Sequence, residues 1–212
     1  MLMSIPAAKQ VGKQFEAAPP GMHLGRLYKI LHVGTSQNEW NGEVKTENKI
    51  IFQFELHGDD DQGKPLVASN GKPYVLSKYY NLTLHEKAKL RLHLTSWLKL
   101  DFKKMQEDGE QIDFKKFLGQ FAMVNVVRTN TGTSGIDSLM PVPQVFIKAG
   151  LPEGVNELFM FEINNFDPEK FEKLSEGTKE LVKKSFEYRK MIDKKKPEIQ
   201  KSEDNMNDDI PF

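Results

Sequence analysis

Cysteine is absent from this chain of 212 residues. Its absence excludes a disulfide scaffold, a thiol nucleophile and a thiolate metal site. Long apolar runs are missing too, since no stretch approaches the roughly 18 residues that mark a membrane-spanning helix. Residues 1–21 contain no hydrophobic segment of the kind found in secretory signals. These absences together predict a soluble chain in the cytoplasm.

The chain also lacks an excess of charge of either sign, with 30 Lys and Arg residues against 30 Asp and Glu residues. This balance excludes a uniformly basic nucleic-acid binder but allows charge to be segregated along the chain. Residues 197–212 hold five acids and one lysine, a net charge of −4, so the remainder carries 29 bases and 25 acids, or +4. The sequence therefore predicts an acidic tail on a basic body, and a tail of that kind can simply solubilise a protein.

Motifs of enzymes and metalloproteins are missing as well. Neither a phosphate-binding G-x-x-x-x-G-K-[ST] loop nor an H-E-x-x-H zinc motif occurs. The five histidines are scattered, and the acidic loop that begins at Asp59 departs from a Ca²⁺ loop at Lys64 and Asn70. We therefore expect no enzymatic activity, no cofactor and no metal.

Alternation of apolar and polar residues predicts five strands. They cover Leu24–Thr35, Ile50–His57, Tyr74–Leu84, Phe121–Thr129 and Ile136–Val142. A segment of helical period, His85–Leu100, lies between the third and fourth strands. Three strands, a helix and two strands is the order of the OB fold, a five-stranded, partly open Greek-key barrel. The predicted fold class is therefore mainly β.

The same patterns assign faces to these elements. Asn41-Gly42 predicts a tight hairpin turn between the first two strands. One side of the first strand is formed by Leu27, Leu31 and Val33, and its other side by Arg26, Tyr28, Ile30 and His32. The residues assigned to the core are Phe52, Phe54 and Leu56 of the second strand and Leu90, Leu94, Trp97 and Leu98 of the helix.

Beyond Pro143 the pattern changes. Residues 144–166 carry no clear signal, whereas Asp167-Pro168-Glu169 predicts the start of a helix with Asp167 as its N-cap. Gly177-Thr178 is expected to interrupt this helix and to start another, which runs to about Lys194. Its apolar stripe comprises Phe171, Leu174, Leu181, Val182 and Ile192.

Four parts are therefore expected along the chain. They are a flexible N-terminal arm (1–21), an OB-fold domain (22–145), a helical extension (146–196) and an acidic tail (197–212). Low hydrophobicity predicts that this tail is disordered.

The sequence closes on two acids followed by an apolar tripeptide. These residues are Asp208, Asp209, Ile210, Pro211 and Phe212. Exposed Ile and Phe gain nothing in water, whereas a docking peptide can place Phe in an apolar pocket and its carboxylate on a basic group. The ending resembles the acidic C-terminal tip of bacterial single-stranded DNA-binding proteins. That resemblance implies that the tip recruits replication and repair enzymes.

A second resemblance covers residues 24–143. The segments LYKILHVGT, NKIIFQFEL, LSKYYNLTLHEKAKLRLHLTSWL, DFKKFLGQFAMVNVV and SLMPVP are similar to segments of phage-encoded single-stranded DNA-binding proteins with an OB fold. The resemblance implies nonspecific binding of single strands in phage replication or recombination, in the host cytoplasm. The helical segment after residue 166 is not matched by that pattern.

Binding of this kind needs basic groups for phosphates and aromatic rings for bases. Lys78 and Tyr80 share one side of their strand, and Trp40 adjoins the hairpin turn. The candidate DNA-binding residues are Arg26, Tyr28, Trp40, Lys45, Lys49, Lys78, Tyr80 and Arg128. For each tyrosine a place in the core is the alternative, because an aromatic residue on a barrel strand is more often buried than exposed.

The favoured prediction is a nonspecific single-stranded DNA-binding protein that recruits partners through its tail. The alternative is an OB-fold adaptor of the replication machinery that binds proteins without strong DNA binding. A nuclease is disfavoured, because no cluster of carboxylates or histidines stands out in the sequence. The oligomeric state is left open.

Overall fold

The structure, a computed structural model, describes residues 16–60 and 62–194. The predicted tail, 197–212, and residues 1–15 of the predicted arm lie outside the described residues, as does the side chain of Trp40. The described part is mainly β, which confirms the predicted class.

In the part of the chain that the structure describes, six strands form one open sheet. They are β1 (Gly21–Trp40), β2 (Glu43–His57), β3 (Val75–Asn81), β4 (Phe121–Arg128), β5 (Ser134–Met140) and β6 (Phe159–Glu162). The order is β3-β2-β1-β4-β5 with every neighbouring pair antiparallel, and β6 pairs with β1 in parallel. The five predicted strands are all present, and β6 lies in the region without a clear sequence pattern.

Strand β1 connects most of the sheet. One of its edges pairs with β2 from Leu24 to Trp40. Its other edge is shared, with β4 along Gly21–Arg26 and with β6 along Lys29–His32. The hairpin between β1 and β2 turns at Asn41 and Gly42, whose φ angles of 52° and 78° are left-handed, as the predicted tight turn requires.

Helices are short. They are α1 (Lys89–Leu98), α2 (Phe102–Glu107), α3 (Gln144–Ala149), α4 (Pro168–Glu172), α5 (Glu176–Lys183) and α6, described over 186–194, together with 3-10 turns at Phe114–Phe117 and Ile163–Asn165. Among the described helices, none is long and apolar enough to cross a membrane.

The predicted start of the C-terminal helices is confirmed, whereas their predicted interruption lies at a different position. Asp167 caps α4, as predicted, and its carboxylate accepts the backbone N–H of Glu169 at 2.9 Å. The interruption falls earlier than predicted, because Ser175 caps α5 and Gly177 lies inside its first turn.

Among residues 16–60 and 62–194, two hydrophobic cores lie on opposite sides of the sheet. The first core packs α1 against the sheet through Phe52, Phe54, Leu56, Leu90, Leu94, Trp97, Val124 and Leu139. The second core packs β6, α4 and α5 against the other side through Leu31, Val33, Ile51, Phe161, Ile163, Phe171, Leu174 and Val182. Ile192, predicted to belong to the apolar stripe, is 38% exposed and lies outside this core.

The predicted faces of β1 are wrong beyond Tyr28. The register with β2 shifts between Leu27 and Lys29, and again between His32 and Gly34. Each bulge inserts one residue and so exchanges the sides of the strand. Leu27 and Ile30 therefore share the first core, while Leu31 lies in the second.

Candidate nucleic-acid interface

Arg26, a predicted DNA-binding residue, forms an internal ion pair. Its Nη1 donates to Glu55 Oε1 at 2.9 Å, and the side chains are only 14% and 0% exposed. His57 Nε2 approaches the same oxygen at 3.2 Å. Burial alone raises the pKa of Glu55, but the hydrogen bonds from Arg26 and its other partners outweigh burial and hold that pKa below its usual value. The carboxylate is therefore ionised, and Arg26 serves to neutralise it.

The Glu55 carboxylate also holds a segment of the C-terminal region against the sheet. We call residues 150–158, between α3 and β6, the strap. The backbone N–H of Asn156 donates to Glu55 Oε2 at 2.7 Å, its Nδ2 donates to the same oxygen at 2.5 Å, and the N–H of Val155 donates to Oε1 at 3.1 Å. A Cβ at Gly154 would lie 1.4 Å from Arg26 Nη1, so any larger residue there would displace the guanidinium from its ion pair with Glu55. The strap therefore covers Arg26.

The two predicted stacking tyrosines are buried, contrary to their expected place on the surface. Tyr28 is 7% exposed and its hydroxyl donates to Gln53 Oε1 at 3.3 Å. Burial, with a further contribution from the charge of Glu55, raises the pKa of Tyr28 to about 12. Tyr28 lies on the predicted side of β1, since its hydroxyl contacts Gln53 on the side of the sheet away from the first core, but the ring is buried there rather than exposed.

Tyr80 belongs to the first core. It is 3% exposed, its ring packs edge-on against Phe52 at 5.3 Å between centroids, and its hydroxyl lies 2.8 Å from His93 Nδ1. Burial raises the pKa of Tyr80 above its usual value. The core alternative is correct for this residue.

Lys78 shares the inward side of β3 with Tyr80. Its Nζ donates to the backbone carbonyl of Ile136 on β5, so the side chain bridges the two end strands of the antiparallel order. Burial, with repulsion from Lys89, lowers the pKa of Lys78. Its ammonium group is used within the fold rather than presented to a ligand.

The remaining predicted cations lie nearer the solvent. Lys45 is exposed and pairs with Glu43 at 3.2 Å between Nζ and Oε2, beside the hairpin turn. Arg128 is exposed at the end of β4, where Nη1 lies 3.4 Å from the Ser134 hydroxyl. The backbone of Trp40 ends β1 next to the turn.

Lys49 is half-buried and its Nζ lies 3.0 Å from Glu47 Oε2. The hydrogen bond from Lys49, followed by that from Asn81, lowers the pKa of Glu47. An acid therefore offsets part of the charge that Lys49 presents.

A polar surface that the sequence reasoning did not assemble lies on the side of the sheet away from the first core. We call it the polar face. Its members are Lys29 of β1, Lys49 and Gln53 of β2, and Ser77 and Tyr79 of β3. Register places Lys29 opposite Gln53 and Gln53 opposite Ser77, and Gln53 Nε2 donates to the Ser77 hydroxyl at 2.9 Å. Lys49 is a diagonal neighbour of Tyr79 across β2 and β3.

Tyr79 is the most exposed of the described aromatic side chains, at 57%. Tyr79 and Tyr80 are adjacent on β3, so their side chains lie on opposite sides of the strand. This alternation is the sequence signal that places Tyr79 on the surface once Tyr80 is in the core. Leu76 and Tyr80 share one parity and enter the first core, which leaves Ser77 and Tyr79 on the outside. Sharing a side with Lys78 does not place Tyr80 on the surface, because Lys78 itself lies on the inward side of β3.

Lys29 occupies the border between the polar face and β6. Its Nζ lies 5.0 Å from the ring centroid of Phe159 and 5.7 Å from that of Tyr28. Burial lowers the pKa of Lys29. The polar face thus has an exposed ring at one end and an ammonium group held over two rings at the other.

The scan against protein-family models finds no match for this chain, and the search of curated proteins finds no similar protein. Within residues 16–60 and 62–194, no group of three His, Asp or Glu side chains is arranged to hold a metal ion. The chemistry available on the polar face is stacking on Tyr79 and ionic contact with Lys29 and Lys49.

Proposed function

We propose that this chain is a sequence-nonspecific single-stranded DNA-binding protein that coats exposed strands in phage DNA replication or recombination. The observation that carries the proposal is the exposed ring of Tyr79 on a face that also presents Lys29 and Lys49. Any base can stack on an aromatic ring, and any phosphate attracts an ammonium group, so this surface needs no base-specific contacts.

The proposal includes an OB-fold barrel. The strand order and the position of α1 between β3 and β4 support it, as does the bridge from Lys78 to the carbonyl of Ile136 between the end strands. OB folds bind oligonucleotides on the face of strands 2 and 3 and on the loops after strands 1 and 4. Here that face carries Tyr79, while Lys45 in β2 and Arg128 at the end of β4 lie next to those loops.

Recruitment of replication and repair proteins through residues 208–212 is the second part of the proposal. These residues lie outside the described residues. The support comes from the sequence, where two aspartates precede Ile210 and Phe212.

The test is to titrate the full chain with oligo-dT and with a duplex of equal length. Fluorescence anisotropy measures the affinity for each at two salt concentrations. We expect strong preference for the single strand and an affinity that falls steeply as salt rises, because phosphate contacts release counterions. Equal affinity for both, or no dependence on salt, would overturn the proposal.

A protein-binding adaptor is the second candidate, and one observation favours it. Helix α3 exposes three adjacent apolar side chains: Val145 at 68%, Phe146 at 44% and Ile147 at 46%. Clustered exposed apolar groups are typical of protein contacts. The same titration separates the two candidates, since an adaptor without strong DNA binding leaves the anisotropy of both oligonucleotides unchanged.

A further inference from the structure

A cavity of about 420 Å³ opens beside α1 and α2, and none of the polar-face residues lines it. Its volume is in the range of ligand pockets, about 300–1,000 Å³. The apolar walls include Phe102, Met105, Ile112 and Phe114. Ile112 and Phe114 also pack against the first core, which fixes that side of the cavity.

Arg91 brings a cation to these apolar walls. Its guanidinium lies over the ring of Phe102, 5.1 Å from the centroid, and Nη1 donates to the carbonyl of Leu84 at 3.1 Å. Within residues 16–60 and 62–194, no carboxylate forms a salt bridge with Arg91. The guanidinium is therefore positioned in the lining with its charge available to an anionic group.

The exposed part of the lining is polar and hydrogen-bonding. It consists of Gln106, Glu110 and Gln111. Each glutamine amide offers both a donor and an acceptor, whereas the glutamate carboxylate offers acceptors only. The cavity thus has aromatic and apolar walls, a cation in its lining and a set of donors and acceptors at its mouth.

The ligand that uses all three features is a nucleotide. A base packs against aromatic and apolar side chains and exchanges hydrogen bonds along its edge. A phosphate suits the fork of an arginine. A hydrocarbon ring with an acidic group leaves the amides and the carboxylate at the mouth unused, and inorganic phosphate leaves the walls uncovered.

We propose that this cavity binds a nucleotide, with its base against Phe102 and Phe114 and its phosphate on Arg91. Glu110 accepts the exocyclic amino group of the base, which favours adenine, cytosine and guanine over thymine, because thymine has no such group. The nucleotide is either free or part of a single strand. The inference does not rest on DNA binding by the polar face, because the two surfaces share no residue.

Methyl NMR of the full chain, labelled at its methionine methyl groups, tests the binding. Met105 lines the cavity, while Met123 lies on β4 and serves as an internal control. Titration with dAMP is expected to shift the Met105 signal and to leave Met123 in place. Phenyl phosphate has a ring and a phosphate but no hydrogen-bonding edge, and it is expected to bind about fivefold or more weakly. An unmoved Met105, or equal affinities for the two compounds, overturns the proposal.

Glu110→Gln tests the preference for a base with an amino group. The wild-type chain is expected to bind dAMP about fivefold or more tightly than dTMP. The variant should narrow this ratio, because an amide can donate to the thymine carbonyl and a carboxylate cannot. Glu107→Gln, on α2 but outside the lining, is the matched control and should keep the wild-type ratio. A ratio that Glu110→Gln leaves unchanged contradicts recognition of the amino group.

Arg91→Gln tests the phosphate contact. We expect it to weaken dAMP binding by about tenfold or more, as loss of a charge-assisted hydrogen bond predicts. Deoxyadenosine has no phosphate, so its weaker affinity should be the same in the variant and the wild type. An equal loss for both ligands would show that Arg91 only shapes the cavity and would contradict its contact with phosphate.

The two sources of the nucleotide are distinguished in the Tyr79→Ala chain, in which the polar face lacks its exposed ring. dAMP and oligo-dA are added at equal nucleotide concentration. A Met105 shift that needs less oligo-dA than dAMP identifies a nucleotide within a strand, and a shift with dAMP alone identifies a free nucleotide. No shift with either overturns the proposal, whatever the polar face itself binds.

Discussion

The side of the sheet away from the first core has two regions that carry similar residues and use them differently. Around β1, Arg26 and Tyr28 lie under the strap or in internal contacts. Along β3, Ser77 and Tyr79 have no strap over them, and Tyr79 is more than half exposed. A cation and a tyrosine close together in sequence therefore do not identify a binding surface. Whether such residues are available to a ligand depends on whether a distant segment of the chain supplies hydrogen-bond or ionic partners for them.

We call the region around β1 that lies under the strap the covered region. Removal of the Glu55 carboxylate should have the largest effect there. Glu55→Ala leaves the Arg26 guanidinium buried without its counter-charge and removes the acceptor for Val155 and Asn156. We expect the free energy of unfolding to fall by about 3–5 kcal/mol, as for other broken buried ion pairs. Urea denaturation measures it. Glu47→Ala, which removes a more exposed ion pair, is the control and should cost about 0–1 kcal/mol. Equal losses in the two variants would show that the strap is not held by Glu55.

The region along β3, which the strap does not cover, should respond in its affinity for DNA rather than in stability. Tyr79→Ala is expected to weaken oligo-dT binding by about 1–3 kcal/mol, the contribution of one stacked base, with little change in melting temperature. The neighbouring Tyr80→Ala is expected to do the opposite and cost about 3–5 kcal/mol of stability, because it empties a place in the first core. Anisotropy and thermal melting of both variants measure this contrast. A stable Tyr79→Ala chain with unchanged affinity removes the polar face from the site.

Acid should weaken the covered region. The pKa of Glu55 lies below its ordinary value in the folded chain. Its contribution to stability is therefore fully present above the unfolded-state pKa, about 4.3, and is lost as the pH falls through the folded-state pKa. The stability difference between wild type and Glu55→Gln, measured by urea denaturation, should therefore narrow as the medium is acidified below about pH 4. A difference that stays constant over this range would contradict the assignment.

The smallest expected effect is on the salt dependence of the affinity for DNA. If Lys49 neutralises one phosphate, Lys49→Ala should reduce the slope of log affinity against log salt by about 0.7. Lys103→Ala, an exposed lysine on α2 away from the polar face, is the matched control. Titrations at four salt concentrations give both slopes, and identical slopes for wild type and Lys49→Ala place that lysine outside the DNA path.

Much of the sheet could be predicted from the sequence because its signals are local. Alternation marked five strands, and Asn41-Gly42 marked a turn that needs two left-handed residues. Asp167 marked a helix start, since an N-cap is decided within three residues. The helical period between β3 and β4 placed Leu90, Leu94 and Trp97 correctly in the first core.

The site was predicted less well, because what determines it is not local. The bulge at Tyr28 changes the side on which later residues of β1 fall, and alternation alone does not reveal a bulge. The strap has no regular period, and its anchor, Glu55, lies about a hundred residues earlier in the chain. No pattern within either segment indicates that they meet. Arg26 was therefore predicted to be available for binding DNA.

The shared edge of β1 has a consequence for the order in which the protein folds during synthesis. His32 pairs with Glu162, so 130 residues separate the two ends of this contact. At translation rates of about 5–20 residues per second, roughly 7–26 s pass between the synthesis of one and the other. Over that interval the edge at Lys29–His32 has no β6 to pair with, and unpaired strand edges invite pairing with other chains. The nascent chain is thus most open to misassembly before its last third has been made.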